Sequence, residues 1–301
     1  MTAAKPILRR VATALRLTPL LRLWRLLRLW NPLLLWQRAR FWRWNRGAGR
    51  EEMVLRPGLR LAVDARSRQP FEWFCFRSRE MVTELDAFRR EMAGRRRFLD
   101  VGACHGIFSL VFVNVRPEAA ALAVEPSAIA FSILTENVRL GRLRNVVARQ
   151  VACGAAAGEL RMRQLWHHLE ALPAPAASSA GDDDPVVAVP MQSVDELCAD
   201  LDFQPDLVKV DVEGYELAVL RGARATLGRY RPPLFLELHP QRLRELGGSV
   251  EEVVDLLAGL GYGFRSLGGA PLGRRSLAGR ESVFRIMAAH GLAPSLPAEP
   301  A

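Results

Sequence analysis

Phe98-Leu99-Asp100-Val101-Gly102-Ala103-Cys104-His105-Gly106-Ile107-Phe108-Ser109 is the stretch from which the rest of the chain can be ordered. An apolar run closing on an acid, a small-residue turn with glycines at 102 and 106, and apolar residues at helical spacing predict strand, tight turn and helix. Such a unit opens a mostly parallel α/β sheet whose ligand lies at the carboxyl ends of the strands. Gly102 and Gly106 admit backbone close to a bound molecule, and the following helix turns its free N–H groups toward it. Ala121-Leu122-Ala123-Val124 predicts the neighbouring strand. Glu125 at its end, followed by Pro126, offers a carboxylate to both hydroxyls of a ribose.

Two ligand classes compete for this unit. A dinucleotide site requires G-x-G-x-x-G to seat a pyrophosphate on the helix, whereas this chain has D-x-G-x-x-x-G, with Asp100 before the first glycine. An acid there repels a pyrophosphate and tolerates a cationic ligand carrying an amino acid and a ribose. S-adenosyl-L-methionine fits that description. The plainer reading is that Asp100 ends a buried strand and the glycines make a turn.

The formal charge of +10 raises nucleic acid or an acidic membrane as partners, until its location is considered. Residues 1–50 carry 12 cations and no acid, so the rest of the chain holds 30 cations against 32 acids. Basicity belongs to the N-terminal segment, and no nucleic acid partner is expected for the body. From Leu20 to Trp30, Arg22, Arg25 and Arg28 fall on one helical stripe among leucines and tryptophans; Pro32 interrupts, and the mixture resumes to Trp44. Arginines break the run too often for a membrane span. Residues 5–46 instead suit an anionic membrane surface, with tryptophans at the interface, or a helix packed on the body. An organellar presequence has similar composition. Cys75, Cys104, Cys153 and Cys198 form no C-x-x-C pair, which fits a reducing compartment. The expected location is cytoplasmic, with the inner face of the membrane as a peripheral site if residues 5–46 bind it.

Four segments follow: 1–50 basic and amphipathic, 51–97 a lead-in subdomain, 98–290 the α/β domain, and 291–301 a flexible tail. In the lead-in, Leu59 to Asp64 and Phe71 to Phe76 alternate as strands do, and Met81 to Met92 reads as a helix. Ser127 to Leu140 predicts a helix, Asn145 to Ala152 a third strand, and Glu159 to Met162 a short extra strand. Glu170 to Pro185 is expected to be a mobile loop. Ser193 and Glu196 have capping-box spacing.

The second informative stretch is Asp206-Leu207-Val208-Lys209-Val210-Asp211-Val212-Glu213-Gly214-Tyr215-Glu216. A strand runs to Asp211 and Glu213, which share a face, and a helix is expected from Glu216 to Leu227. Leu234 to Leu238 is the next strand and delivers His239 at its carboxyl end. The strand ends of such a sheet face one crevice, bringing Asp211, Glu213, Glu237 and His239 toward Asp100 and Glu125. After a helix from Val250 to Leu260, the segments 262–265 and 282–287 form an antiparallel pair, which the dinucleotide fold lacks.

With Asp100-Val101-Gly102-Ala103, Glu125-Pro126, Lys209-Val210-Asp211-Val212-Glu213-Gly214-Tyr215-Glu216, Leu220-Arg221-Gly222-Ala223 and Glu237-Leu238-His239-Pro240 in order, the chain resembles the FkbM family of S-adenosylmethionine-dependent methyltransferases over about residues 95–265. The resemblance implies a class I, Rossmann-like sheet, mostly parallel with an antiparallel C-terminal edge strand and helices on both faces. It also implies methyl transfer to a hydroxyl of a sugar, glycan or glycolipid, or of a polyketide-type natural product. Cys104-His105 depart from the asparagine usual after D-V-G-A. The donor-binding set is Asp100, Gly102, Ala103, Cys104, Gly106, Glu125 and Pro126. For catalysis, His239 is the first candidate base, with Asp211 or Glu213 as orienting partner or as the base itself; alternatively, Asp211 and Glu213 cap the following helix. The same residues are compatible with a divalent cation, but no metal is expected. Absence of [DN]-P-P-[YF] after the fourth strand and of a Pro-Cys pair argues against methylation of nucleobases. A fold that has lost its chemistry and serves as a membrane-associated binding protein, and a Rossmann oxidoreductase, are the readings from other classes.

Overall fold

The computed structural model describes residues 32–77, 79–165, 168–172 and 185–292. The stripe of Arg22, Arg25 and Arg28, residues 173–184 of the expected loop, and residues 293–301 of the expected tail lie outside them.

Within the basic segment Pro32–Trp44 is a helix, and the lead-in opens with the antiparallel strands β1 (Glu52–Arg56) and β2 (Leu59–Ala62). Phe71 to Phe76 is helical, not a strand: Arg68–Glu72 is α-helical and Trp73–Arg77 continues as a π-helical turn. Pro70 sits in the first turn, where its missing N–H costs nothing. Phe71, Cys75 and Phe76 are buried at spacings of four and five, a helical set that a short apolar run does not distinguish from strand alternation. The helix Arg79–Glu91 follows as expected and buries Phe88 at an aromatic junction with Phe98, Phe108 and Phe235.

The central sheet is built from β3 (Arg97–Val101), β4 (Ala120–Val124) and β5 (Val146–Arg149). The chain then leaves it for a smaller sheet of β6 (Ala152–Gly154), β7 (Gly158–Leu165), β8 (His168–Ala171) and β9 (Val186–Ser193). It returns as β10 (Leu207–Val210), β11 (Leu234–Leu238), β12 (Gly263–Ser266) and β13 (Phe284–Ala289). Thus the expected third strand stops at Arg149, because Ala152 to Gly154 pair with β9 instead. Glu170 and Ala171, expected in a loop, pair with Arg163 and Met162.

The large sheet has seven strands in the order β12-β13-β11-β10-β3-β4-β5. Contacts among β3, β4, β5, β10 and β11 are parallel, and β13 is antiparallel to both β11 and β12. The antiparallel strand therefore lies one place in from the edge, with β12 outermost. This is the sheet of class I methyltransferases. The inner strands β10 and β11 are buried along their whole length, as parallel strands covered on both faces must be.

Local signals were honoured at several ends. Ser193 and Glu196 form a reciprocal capping box at the helix Val194–Asp200, and Ser127 caps Ala128–Leu140. The single helix expected from Glu216 to Leu227 is two, Glu216–Arg221 and Arg224–Tyr230. Asp195 explains the break: its N–H donates to the Gly222 carbonyl, and its carboxylate accepts from the N–H groups of Ala225 and Thr226, capping a second helix start. Leu217, Leu220 and Leu227 still face the core.

Candidate active site

A cavity of about 380 Å³ opens at the carboxyl ends of β3, β4 and β10. Its wall combines the β3 loop (residues 101–105), Glu125 and Pro126 after β4, and Lys209, Asp211, Val212, Glu213 and Tyr215 around the end of β10. Phe71, Trp73, Phe74 and Met81 from the lead-in and Leu160, Met162 and Leu169 from the small sheet complete it. Of the expected site residues, Gly102, Ala103, Cys104, Glu125, Pro126, Asp211 and Glu213 meet in this wall. Asp100, Gly106 and His239 stand behind it.

The glycines of the first turn admit protein rather than ligand. Gly102 has φ of 81°, and a Cβ there would lie 1.8 Å from the Asp211 carbonyl oxygen. Gly106, left-handed at the start of the helix Ile107–Val115, packs against Leu134. The two glycines thus set the distance between the β3 loop and its neighbours. Asp100 is buried and its Oδ2 accepts from the Ser109 hydroxyl at 2.7 Å. Burial pushes its carboxyl up to about 6, against the pull of Lys209.

Glu125 is 5% exposed. Its Oε2 accepts from the Cys104 N–H and its Oε1 from the Ser127 N–H, each at 2.8 Å. A carboxylate has about four lone-pair sites, so one acceptor position per oxygen is left for a ligand. Burial raises this carboxyl to about 7. Burial also raises the Cys104 thiol, with Glu125 adding to it, so the sulfur stays protonated and is not a thiolate nucleophile.

On the other side of the cavity, Lys209 is 2% exposed, with Nζ 2.7 Å from Asp211 Oδ2 and 4.8 Å from the Phe108 ring centroid. Burial would neutralise it, but Asp211 and Glu84 outweigh that and keep it an ammonium. Burial alone would raise Asp211; Lys209 reverses this and holds it below the usual carboxylate range. His239 is fixed at both nitrogens. Its Nδ1 lies 2.7 Å from Glu216 Oε1, and its Nε2 lies 3.2 Å from Glu213 Oε2. The hydrogen bond to buried Glu216 overcomes the burial of the ring and lifts the imidazole to about 9. Glu216 also accepts from the Gly214 N–H and so holds the turn after β10.

Three charged residues of this cluster had no role in the reading of the sequence: Lys209, Glu216 and Glu84. Lys209 was legible in principle as a charge inside the otherwise apolar run of β10. Asp211, Glu237 and His239 bring ligand-type atoms within 4.8 Å of one another. However, Lys209 is paired with Asp211 and Arg285 with Glu237, so the charge a divalent cation would supply is already present.

The sheet order and the crevice at these strand ends define a class I methyltransferase fold. Residues 100–265, more than half the chain, match the Methyltransferase FkbM domain, and the chain belongs to that family. Among solved structures it is similar to the methyltransferase FkbM from Methylobacillus flagellatus KT, at 15% identity and a TM-score of 0.41. That match covers 65% of this chain and 43% of the other, so this chain spans less than half the length of that relative. StiE O-MT residues 961–1257 match at 12% identity, covering 80% of this chain and 81% of that one, with a TM-score of 0.41. An O-methyltransferase from Bacillus cereus, solved in complex with SAH, matches at 8% identity, covering 70% and 82%, with a TM-score of 0.40. No curated protein matches in sequence.

Proposed function

We propose that this chain transfers a methyl group from S-adenosylmethionine to a hydroxyl oxygen. The observation that carries the reading is one cavity walled by Glu125 on the donor side and by Lys209, Asp211 and Glu213 on the other. Glu125 would take the ribose hydroxyls on its two remaining acceptor positions, and the apolar residues 151–153 would flank the base. Bound there, the cofactor supplies an activated methyl on a sulfonium. The acidic side of the cavity suits that positive charge.

The chain's own task is then alignment and proton removal. Asp211, in the wall and held by Lys209, accepts the proton of the acceptor hydroxyl. A weakly basic carboxylate suffices, because the hydroxyl becomes strongly acidic as its oxygen gains a carbon. His239, protonated near neutral pH, holds Glu216 and Glu213 at its two nitrogens and is not itself the base. This departs from the sequence-based expectation, because the Glu216 hydrogen bond favours the charged ring. Calorimetric titration of the full chain with S-adenosylhomocysteine tests the donor reading: saturable binding is expected, and none by a folded chain would overturn it.

The sugar, glycan or glycolipid acceptor expected from the family is one reading. The apolar wall of Trp73, Phe74, Met81, Leu160, Met162 and Leu169 favours a second, a hydroxyl on an apolar body such as a polyketide-type product or the lipid-linked form of a glycan. Attachment to an anionic membrane is supported by the helix Pro32–Trp44. Trp36 and Trp42 are 54% and 78% exposed, and Arg40 stacks on Trp36 and Trp44. Among the described residues no helix is long and apolar enough to cross a membrane. The full chain is expected to sediment with phosphatidylserine vesicles at low salt and to be released as salt rises. Recovery in the supernatant at low salt would end the membrane reading.

A further inference from the structure

We propose that Arg285 and Glu84, both outside the segment matched to the family, are positioning residues that set the negative charge presented beside the methyl donor. The inference rests on the donor reading above and concerns the floor beneath Asp211.

Strand register brings the groups together. Lys209 is paired with Asp100 on β3, and Glu237 with Arg285 on β13. Asp211 follows Val210, which is opposite Leu236, so Glu237 stands beside Asp211. From the helix Arg79–Glu91, Glu84 reaches the same place: its Oε2 is 2.9 Å from Arg285 Nε, and its Oε1 is 3.9 Å from Lys209 Nζ. Arg285 also bonds Glu237 through Nη2 and lies 3.2 Å from Glu80. His239 completes the surroundings, with Nε2 3.9 Å from Glu237 and closer to Glu213. Its other nitrogen is committed to Glu216.

The charges do not cancel. With protonated His239 matched by Glu213 and Glu216, the two remaining cations, Lys209 and Arg285, face three carboxylates, Glu84, Asp211 and Glu237. Burial raises the carboxyls of both Glu84 and Glu237; Glu84 faces two cations, Lys209 and Arg285, whereas Glu237 stands beside Asp211, so Glu237 is the group that takes the balancing proton. Arg285 pulls Glu237 toward the anion, and Glu84 pushes it toward the acid. When Glu237 ionises, the floor gains one negative charge next to Asp211.

S-adenosylmethionine and S-adenosylhomocysteine differ by one methyl and one positive charge at the sulfur, so the ratio of their affinities reads that floor charge without any acceptor. Both are titrated against the intact chain between pH 6 and 10. In the native chain the ratio should turn toward the sulfonium as Glu237 ionises in the alkaline range. Glu84→Gln removes a repelling charge and should move the transition to lower pH, by about one unit or more. Arg285→Gln should move the Glu237 step upward, and Glu237→Gln should remove it, each leaving the step at about 9 that His239 contributes as it loses its proton. Opposite displacements are the signature, because a merely structural role would weaken both ligands together and leave the transition in place. Should Arg285→Gln not fold, the isosteric Glu84→Gln carries the test alone by its downward shift. Binding of both ligands with the same pH profile in every variant would overturn the proposal and leave the donor reading standing. A folded native chain that binds neither ligand would overturn both.

Discussion

Lys209→Met is expected to cost about 3–5 kcal/mol of folding stability, a fall in Tm on the order of 10 °C. The side chain is 3% exposed and is the only described cation within 4 Å of Asp211. Methionine keeps most of the volume and still packs on Phe108, so the loss is electrostatic. Removing one partner of a buried pair strands the other charge, and that penalty exceeds what the pair itself contributed. Burial, no longer opposed by Lys209, would push the Asp211 carboxyl up and weaken it as the carboxylate proposed to accept the hydroxyl proton. Lys209→Met combined with Asp211→Asn should recover part of the stability, since no stranded carboxylate remains. Thermal unfolding of the two variants decides the matter. An unchanged Tm in the single variant would mean that the ammonium is dispensable and that Asp211 is solvated from the cavity.

Much of the architecture could be read from local patterns. The unit around Asp100 and Gly102, the strand bringing His239 to its carboxyl end and the capping box at Ser193 each depend on residues within a dozen positions of one another. The antiparallel pair near the C-terminus was legible for the same reason, but its place in the sheet was not. Hydrophobic alternation says that β13 is a strand, and says nothing of its insertion between β11 and β12. The lead-in failed where periodicities overlap, since Phe71 to Phe76 is too short and too apolar to separate a strand from a helical turn.

The site was half legible. Asp211, Glu213 and Glu125 were found because they end predicted strands, and the crevice lies there. The partners that tune them were not, because pairing across the sheet depends on register and long-range packing. Glu84 precedes Lys209 by 125 positions and meets it only when the helix Arg79–Glu91 lies over β10. A usable signal was present: Lys209, Glu237 and Arg285 are each a charge inside an otherwise apolar strand. Burying such a charge is costly unless another is there to meet it. Three of them in strands of one sheet therefore argue for one cluster.

Glu125→Ala should abolish measurable donor binding, with a loss on the order of 100-fold or more in the affinity for S-adenosylhomocysteine. Two effects combine. The ribose hydroxyls lose a carboxylate, each such hydrogen bond to a charged group being worth about 1.5–3 kcal/mol. The Cys104 and Ser127 N–H groups lose the acceptor that holds the β3 loop against the end of β4. The second effect confuses a simple reading, because a loosened loop also weakens binding. Glu125→Gln grades them: its carbonyl keeps one of the two acceptor oxygens, and its amide can only donate, so one of the two loop N–H groups is left unmet. If ribose recognition dominates, the glutamine variant should lose less Tm than the alanine variant and still bind S-adenosylhomocysteine far more weakly than the native chain. If loop support dominates, affinity and Tm should fall together in both variants. Native affinity in a folded Glu125→Ala chain would remove the carboxylate from donor recognition and shift the search to the backbone of residues 101–105.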